Sequence, residues 1–262
     1  MKKTERQKII LEELKKNTVF NSTHLAKELS ISTVTLRHDL DELAAKGLLI
    51  RSHGGAILPT QHRQKNINIP VPRPSDISNF SLKQAIAREA IKLIADDDTI
   101  FIGCGSTFYV LAQQLKTYHH LKIVTNNLNV AYELASSAES VYFIGGELVE
   151  MDGIYNTSGP KIPLELEKVY VNKAFIGVSG IDMRAGLTIF DLTQLSMYTT
   201  IKKVAQELIL VCDKTKFDIQ SAHQLGSIGE YASTIITNEG IRPLYRSVLE
   251  NMGIHLITVR SE

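Results

Sequence analysis

The residues best suited to binding a small anionic ligand follow short apolar segments at five places in the chain. Glycines let the backbone approach a ligand closely, hydroxyl and amide side chains bond oxygen atoms, and a lysine attracts a phosphate. Each group alone is also compatible with a tight turn, a helix cap or a solvated loop. The candidate ligand-binding residues are Cys104, Gly105, Ser106, Thr107, Thr125, Asn126, Asn127, Gly145, Gly146, Glu147, Gly180, Asp182 and Lys216.

The first of these groups contains a cysteine followed by hydroxyl residues. No histidine is placed in the sequence to activate Cys104, so we interpret it as a small packing residue rather than a nucleophile. Ser106 and Thr107 follow at the start of a helical segment, and hydroxyl groups at a helix N-terminus favour an anion. We therefore expect the phosphate of a ligand at this loop, together with Lys216.

The segments before these groups predict how the groups are positioned. From residue 81 onwards, short apolar strands alternate with helical segments, which is typical of a mainly parallel α/β sheet. Ligands of such sheets bind beyond the carboxyl ends of the strands, so one crevice should collect the candidate residues. The predicted strands are 97–103, 121–125, 141–144, 173–177, 208–212, 234–237 and 255–259, and the predicted helices include 82–94, 108–115, 128–135 and 244–252.

A second set of residues, near the N-terminus, has the pattern of a DNA-binding unit. Two helical segments separated by a short break at 30–32, followed by a basic hairpin from Arg51, predict a winged helix-turn-helix. Leu36, Leu40 and Leu43 have the spacing of a buried stripe, and the opposite face suits phosphate oxygens, base edges and a thymine methyl. The candidate DNA-binding residues are Ser32, Thr33, Val34, Thr35, Arg37, His38, Arg51, His53 and Gly54.

Charge and proline content separate the two parts. Residues 1–60 hold ten Lys/Arg against seven Asp/Glu, whereas the rest holds 19 against 21, so DNA binding is expected at one end. Four of the seven prolines lie between Pro59 and Asn79, which predicts an extended linker. The expected organisation is a DNA-binding domain at 1–58, a linker at 59–80 and an α/β domain at 81–262. A monomer would make few DNA contacts, so a homo-oligomer, dimer or tetramer, is expected.

The remaining composition excludes several classes of protein. Two cysteines provide neither a disulfide framework nor a zinc set, and no metal or other cofactor is predicted. No apolar run approaches the roughly 20 residues that cross a bilayer, and no signal peptide is recognised at the start. We therefore expect a cytoplasmic protein that does not contact a membrane.

The whole chain resembles the DeoR family of bacterial transcriptional regulators. The first match is Ser32-Thr-Val-Thr-Leu-Arg-His-Asp-Leu40 with Arg51-Ser-His-Gly-Gly-Ala56, and the second runs from about Lys83 to Val259 through Gly105-Ser-Thr107, Thr125-Asn-Asn127 and Asp213-Lys-Thr-Lys216. The resemblance implies a sensor domain similar in fold to ribose-5-phosphate isomerase. It also implies repression of a sugar-catabolism operon that a phosphorylated sugar relieves.

The chain departs from the family pattern at several positions. His38 stands where the family has a second arginine, Cys104 stands where an aspartate is common, and Ser106 replaces a threonine. The family's Glu-Ala and Lys-Arg pairs are absent from Gln194-Leu-Ser-Met-Tyr-Thr-Thr200. We expect these changes to affect the choice of ligand more than the fold.

The leading hypothesis is a DNA-binding regulator that represses a carbohydrate operon. Its expected partners are double-stranded operator DNA and a phosphorylated sugar. Asn126, Asn127, Glu147 and Asp182 are candidates for binding the sugar hydroxyls. The alternative is a sugar-phosphate isomerase fused to a DNA-binding module, with Glu147 or Asp182 as general base. No tuning of either acid is visible, so no catalytic residue is predicted. A nucleotide-binding or CoA-binding regulator differs only in ligand, and no dinucleotide fingerprint or P-loop favours it.

Overall fold

The computed structural model describes residues 3–17, 19–46, 48–52, 55–57 and 71–260. The chain divides into two compact units, residues 1–68 and 69–262. Residues 58–70 of the predicted linker region lie outside the described residues. Residues 71–79 belong to the second unit: Pro74–Asp76 form a helical turn, and Ile77 is buried in the core of that unit.

The described part of the first unit has three helices and a small antiparallel sheet. Its elements are α1 (Lys3–Asn17), β1 (Val19–Asn21), α2 (Ser22–Glu28), α3 (Thr33–Ala45), β2 (Ile50–Ser52) and β3 (Gly55–Ile57). β3 pairs with both β1 and β2. The predicted stripe is buried, because Leu36, Leu40 and Leu43 pack with Ile10 and Leu14 in one apolar cluster.

The second unit is an α/β structure with small antiparallel additions. Its first half comprises α4 (Phe80–Ala90), β4 (Thr99–Ile102), α5 (Ser106–Leu115), β5 (Lys122–Thr125), α6 (Leu128–Leu134), β6 (Ser140–Phe143), β7 (Glu147–Met151), β8 (Ile154–Ser158) and α7 (Lys161–Leu166). Its second half comprises β9 (Val171–Ile176), β10 (Gly180–Asp182), β11 (Gly186–Ile189), α8 (Leu195–Val204), β12 (Ala205–Val211), β13 (His223–Gly226), α9 (Ile228–Tyr231), β14 (Thr234–Asn238), α10 (Pro243–Asn251) and β15 (His255–Val259).

Seven strands form one parallel sheet in the order β15-β14-β12-β9-β4-β5-β6. The fold class predicted from the sequence is therefore confirmed. Alternate strand residues serve two separate apolar cores. Phe101 packs in the same core as Met197 of α8 and Leu249 of α10, whereas Ile100 and Ile102 pack with the helices on the other face.

The strand order places a topological switch between β4 and β9. The chain runs outwards from β4 to β6, returns to β9, and then runs outwards in the opposite direction to β15. Neighbouring loops after β4 and β9 therefore leave the sheet in opposite directions, which opens a crevice between them. The sheet thus positions a ligand site at one defined edge.

Several elements differ from the sequence-based expectations. The antiparallel pair β7–β8 and the three-stranded sheet β10-β11-β13 were not predicted. The helix expected at 82–94 begins at Phe80, because Asn79 adopts a left-handed backbone with φ 55° just before it, and ends at Ala90 before a tighter turn. Within the described residues no helix is both long enough and apolar enough to cross a membrane.

Candidate functional site

The first unit presents α3 as a rigid helix with an exposed face. Ser32 caps this helix, since its Oγ accepts a hydrogen bond from the Thr35 backbone N–H at 3.0 Å. Thr33, Arg37 and His38 are exposed, Thr35 is half-buried, and 74% of Val34 is accessible to solvent. An exposed valine beside hydroxyl and cationic side chains is a surface that suits the major groove of DNA.

α1 packs against α3, the reading helix, whose exposed face carries the predicted DNA contacts. Asp39 is buried on α3 and forms a two-contact ion pair with Arg6, whose Nη2 donates to Asp39 Oδ1 at 3.1 Å. Lys3 and Gln7 donate to the carboxylate of Glu42, and the hydrogen bond from Lys3 is the main cause that lowers the pKa of Glu42. These ion pairs and hydrogen bonds between α1 and α3 fix the orientation of the exposed face of α3. The sequence analysis did not identify them.

The remaining predicted DNA contacts lie in the wing. Arg51 begins the hairpin on β2, and its Nε lies 3.0 Å from Asp41 Oδ1 of α3. This ion pair connects the wing to the reading helix. His53 and Gly54 lie outside the described residues.

In the second unit, a cavity of about 110 Å³ lies at the carboxyl ends of β4, β9 and β12. This is the edge that the topological switch opens. Five of the thirteen candidate residues line the cavity, namely Cys104, Gly105, Ser106, Thr107 and Lys216. The other eight lie elsewhere.

A buried lysine that sequence reasoning missed lies at the cavity. Only 6% of Lys83, on α4, is exposed, and its Nζ donates to Ser106 Oγ at 2.9 Å. Burial lowers the pKa of Lys83 and outweighs the attraction of Asp213. The described residues offer Lys83 no salt bridge. A desolvated cation with a single hydroxyl partner would be strongly stabilised by an anion in the cavity.

The loop after β4 places helix donors beside this lysine. Gly105 has φ 107°, a backbone conformation that favours glycine, and α5 begins immediately after it. The first N–H groups of a helix have no acceptor within the helix, and the helix dipole adds partial positive charge there. Ser106 and Thr107 therefore combine hydroxyl and amide donors next to Lys83, which makes an anion site.

Lys216 reaches the same cavity from the loop after β12. It ends the helical turn Lys214–Lys216, which the buried Asp213 caps by accepting a hydrogen bond from the Thr215 N–H at 3.0 Å. Two lysines from different elements thus face one small cavity.

The three polar residues at the end of β5 bond neighbouring backbone groups rather than lining the cavity. Asn127 Nδ2 donates to the Gly105 carbonyl at 3.3 Å, and its Oδ1 caps α6 by accepting from the Val130 N–H. Thr125 Oγ1 donates to the Ile102 carbonyl at 2.6 Å, and Asn126 Nδ2 donates to the Thr157 carbonyl at 2.9 Å. All three side chains are buried, and backbone groups bond those of Thr125 and Asn127, whereas Asn126 Oδ1 has no hydrogen-bond partner among the described residues.

The other candidates serve turns and close packing. A Cβ on Gly146 would lie 2.4 Å from the Ser158 carbonyl oxygen, and one on Gly180 would lie 2.3 Å from a neighbouring backbone oxygen. Gly145 and Glu147 do not line the cavity, and Glu147 is exposed at the start of β7. Asp182 accepts from the N–H groups of Ala185 and Arg184 in the β10–β11 turn, which lowers its pKa.

Other cavity residues come from segments that the sequence analysis did not select. Asp191, Gln194 and Tyr198 line the cavity from the region between β11 and the middle of α8. For Gln194 and Tyr198, the sequence feature that could have indicated them was the departure of residues 194–200 from the family pattern. Lys83 gave no such signal, because a lysine in an amphipathic helix usually lies on the solvated face.

A helix-turn-helix with an exposed reading face, joined to an α/β unit with an anion-binding cavity, defines a DNA-binding regulator of transcription. Comparison with protein-family models gives a match to the DeoR-like helix-turn-helix domain at residues 6–62 and to the DeoR C terminal sensor domain at residues 78–239. The chain belongs to the DeoR family of transcriptional regulators.

Named relatives cover nearly the whole chain. The glycerol-3-phosphate regulon repressor of Escherichia coli K12 is 32% identical over 229 residues, which are 87% of this chain and 88% of the relative. The transcriptional regulator GolR of Listeria innocua is 27% identical over 95% of this chain and 96% of its own length. The putative aga operon transcriptional repressor of Escherichia coli O157:H7 is 26% identical over 98% of this chain and 94% of its own length.

Two solved structures show only a slight likeness. Ribose 5-phosphate isomerase A of Methanocaldococcus jannaschii is 19% identical with a TM-score of 0.37, over 53% of this chain and 55% of the isomerase. The probable sor operon regulator of Shigella flexneri is 10% identical with a TM-score of 0.39, over 76% of this chain and 94% of the regulator. These likenesses do not bear on function.

Proposed function

We propose that the protein is a repressor of a carbohydrate-catabolism operon, released from its operator by a small phosphorylated sugar or polyol that binds in the cavity of the second unit. The observation that carries the proposal is the buried Lys83 against Ser106 at the N-terminus of α5. An anion neutralises this lysine and accepts from the free helix donors at the same time. Lys216 supplies a second charge for a phosphate group.

The size of the cavity favours a short ligand. An engineered cavity of about 150 Å³ is large enough for benzene, and this cavity is about 110 Å³. A phosphate with a short polyol is of that size, whereas a dinucleotide or CoA is much larger. The name of the Escherichia coli relative, a glycerol-3-phosphate regulon repressor, is compatible with a ligand of this class.

The two candidate bases of the isomerase alternative are not in position to act on a ligand in the cavity. Glu147 and Asp182, the acids considered as general bases, lie outside its lining, and Asp182 already accepts two backbone hydrogen bonds. A general base must lie within hydrogen-bonding reach of the proton that it removes. A regulator that acts on operator DNA in the cytoplasm, as a dimer or tetramer, remains our proposal, because several reading helices are needed for tight binding.

The test is fluorescence anisotropy of the full-length protein on labelled DNA from upstream of its own gene, titrated with phosphorylated sugars and polyols. Tight, salt-dependent binding that one compound weakens is the expected result. Arg37→Ala should weaken operator binding and leave ligand binding intact. Binding that no phosphorylated compound alters would overturn the proposed effector class, and turnover of a sugar phosphate would favour the isomerase alternative. Sedimentation analysis of the same sample gives the oligomeric state.

A further inference from the structure

One end of the cavity is lined by polar side chains other than lysine, among them Cys104 and Gln194. The Cys104 thiol donates to Gln194 Oε1 at 3.4 Å, so the two side chains are in direct contact. Burial raises the pKa of Cys104 to about 11, and the thiol therefore keeps its proton at neutral pH and remains a donor. This contact fixes the orientation of the Gln194 amide.

The fixed amide presents unused donors to the cavity. Because Oε1 accepts from Cys104, the two N–H groups of Gln194 Nε2 point away from the thiol, and the described residues give them no acceptor. Tyr198 Oη lies beside them but donates to the Gly177 carbonyl at 2.5 Å. Gln194 is therefore one group at this end with hydrogen-bond donors available to a ligand.

A carboxylate of the same segment also lines the cavity, and the Gln194 backbone N–H donates to the Asp191 carbonyl at 3.2 Å. Asp191 Oδ1 accepts from the Thr193 N–H at 2.9 Å and from Thr193 Oγ1 at 2.7 Å, which leaves the other carboxylate oxygen to accept a further hydrogen. Asp191 also lines the cavity, and its charge contributes to the raised pKa of Cys104, so it is close to this end. The negative charge makes the end unfavourable for a second anionic group.

We propose that Gln194, oriented by Cys104 and adjacent to Asp191, determines ligand specificity by recognising a hydroxyl group of the phosphorylated effector. A hydroxyl both accepts from the amide and donates to the carboxylate, so it satisfies both partners. A carboxylate on the ligand would be repelled by Asp191, and an alkyl group would leave the amide unpaired. This inference rests on the proposed function and adds a second point of recognition to the phosphate site.

The loop after β4 keeps the Cys104 end of the cavity close to the Ser106 end. Cys104 and Ser106 are two residues apart, so their Cα atoms are at most roughly 7 Å from each other. A chain of about three carbon atoms between the phosphate and the hydroxyl spans such a distance at about 1.5 Å per bond. The recognised hydroxyl thus belongs to a short polyol phosphate or to the near end of a longer one.

Isothermal titration calorimetry of the full-length protein tests this with three probes: inorganic phosphate, glycerol 3-phosphate and propyl phosphate. The two esters share the phosphate and the three-carbon chain and differ in hydroxyl groups. We expect the wild type to prefer glycerol 3-phosphate by about tenfold or more. Gln194→Leu should bring the ratio of the two affinities close to one without changing the affinity for inorganic phosphate. Gln220→Leu, an exposed glutamine outside this cavity, is the matched control.

Cysteine variants test the positioning role. Cys104→Ser keeps a donor and should retain the preference, whereas Cys104→Ala should reduce it, again without loss of inorganic phosphate binding. A wild type without preference, or a Gln194→Leu variant that keeps it while phosphate still binds, overturns this inference alone. A wild type that binds none of the three probes overturns the proposed phosphate site, and the present inference with it.

Discussion

Replacing Lys83 with methionine should weaken effector binding without destabilising the unliganded protein. Methionine keeps most of the aliphatic volume of a side chain that is only 6% exposed, and removes a charge whose only hydrogen-bond partner among the described residues is Ser106 Oγ. Hydrogen bonds to charged groups contribute about 1.5–3 kcal/mol, so the dissociation constant should rise about 10- to 150-fold. The free energy of unfolding without ligand should stay constant or increase slightly, because the desolvation of the ammonium group no longer opposes folding.

Thermal unfolding with and without ligand measures both effects. Ligand at 100 times its dissociation constant stabilises the wild type by about 2.7 kcal/mol, which for a unit of this size raises Tm by about 5–10 °C. The same ligand concentration is only about 0.7–10 times the dissociation constant of the variant, so it should raise the Tm of the variant by about 1–5 °C. Lys92→Met is the matched control, since Lys92 is exposed, pairs with Glu89 at 2.6 Å and does not line the cavity. Equal ligand responses in the two variants, or a large loss of unliganded stability in Lys83→Met, would refute the reasoning.

The lowered pKa of Lys83 adds a pH dependence with a definite sign. Its folded-state pKa lies below the ordinary value of 10.5, so between the two values the unfolded chain holds a proton that the folded protein lacks. Unliganded stability, measured as the difference between the wild type and Lys83→Met, should therefore rise as pH increases through that window. Phosphate affinity should fall over the same window, because the neutral amine no longer attracts the anion. A difference that stays constant with pH would argue against a desolvated lysine.

Three further substitutions test other parts of the structure. Arg37→Ala should weaken operator binding by about 1–3 kcal/mol in anisotropy titrations while calorimetry shows unchanged effector binding; a loss of both would indicate a folding defect. Asp39→Asn leaves the largely buried Arg6 without its charged partner and should lower the unfolding free energy by about 3 kcal/mol, as read by urea denaturation. Gly146→Ala should destabilise the protein by about 1–3 kcal/mol, because the new Cβ meets a backbone oxygen at 2.4 Å, whereas Gly145→Ala, with nothing within 4 Å, should be neutral. Similar melting temperatures for the two glycine variants would contradict the packing argument.

The architecture was largely predictable because strong, repeated signals specify it. Continuous apolar runs such as Thr99–Ile102 indicate strands buried on both faces, and their alternation with helices predicts a parallel sheet. The small antiparallel elements were not predicted, because β10 has only three residues and β7 is mostly exposed. Such strands depend on pairing with distant segments rather than on a local pattern.

The site was predictable only in part, for a physical reason that its residues show. Position after a strand identifies which residues come near the crevice. Ser106 and Lys216, which were selected in this way, both line one cavity. It does not show whether a polar side chain faces the ligand or the backbone. The Asn127 amide could bond a sugar hydroxyl, but it already donates to the Gly105 carbonyl and accepts from the Val130 N–H. Lys83 comes from a helix that precedes the sheet, so no strand-end rule selects it.

The two buried asparagines that hold Gly105, one after β5 and one on β8, have a consequence for genetics. Asn127 supports the carbonyl of Gly105, and Asn156 accepts from the Gly105 N–H at 3.3 Å, so both backbone groups of that residue are held by asparagines that do not line the cavity. A screen for alleles that no longer respond to inducer would recover changes at these asparagines alongside true contact residues. The two kinds of allele share a phenotype but differ in temperature sensitivity, since only the supporting asparagines also hold the fold. Mapping an effector site by mutation alone would therefore include buried residues that support the site without contacting the ligand.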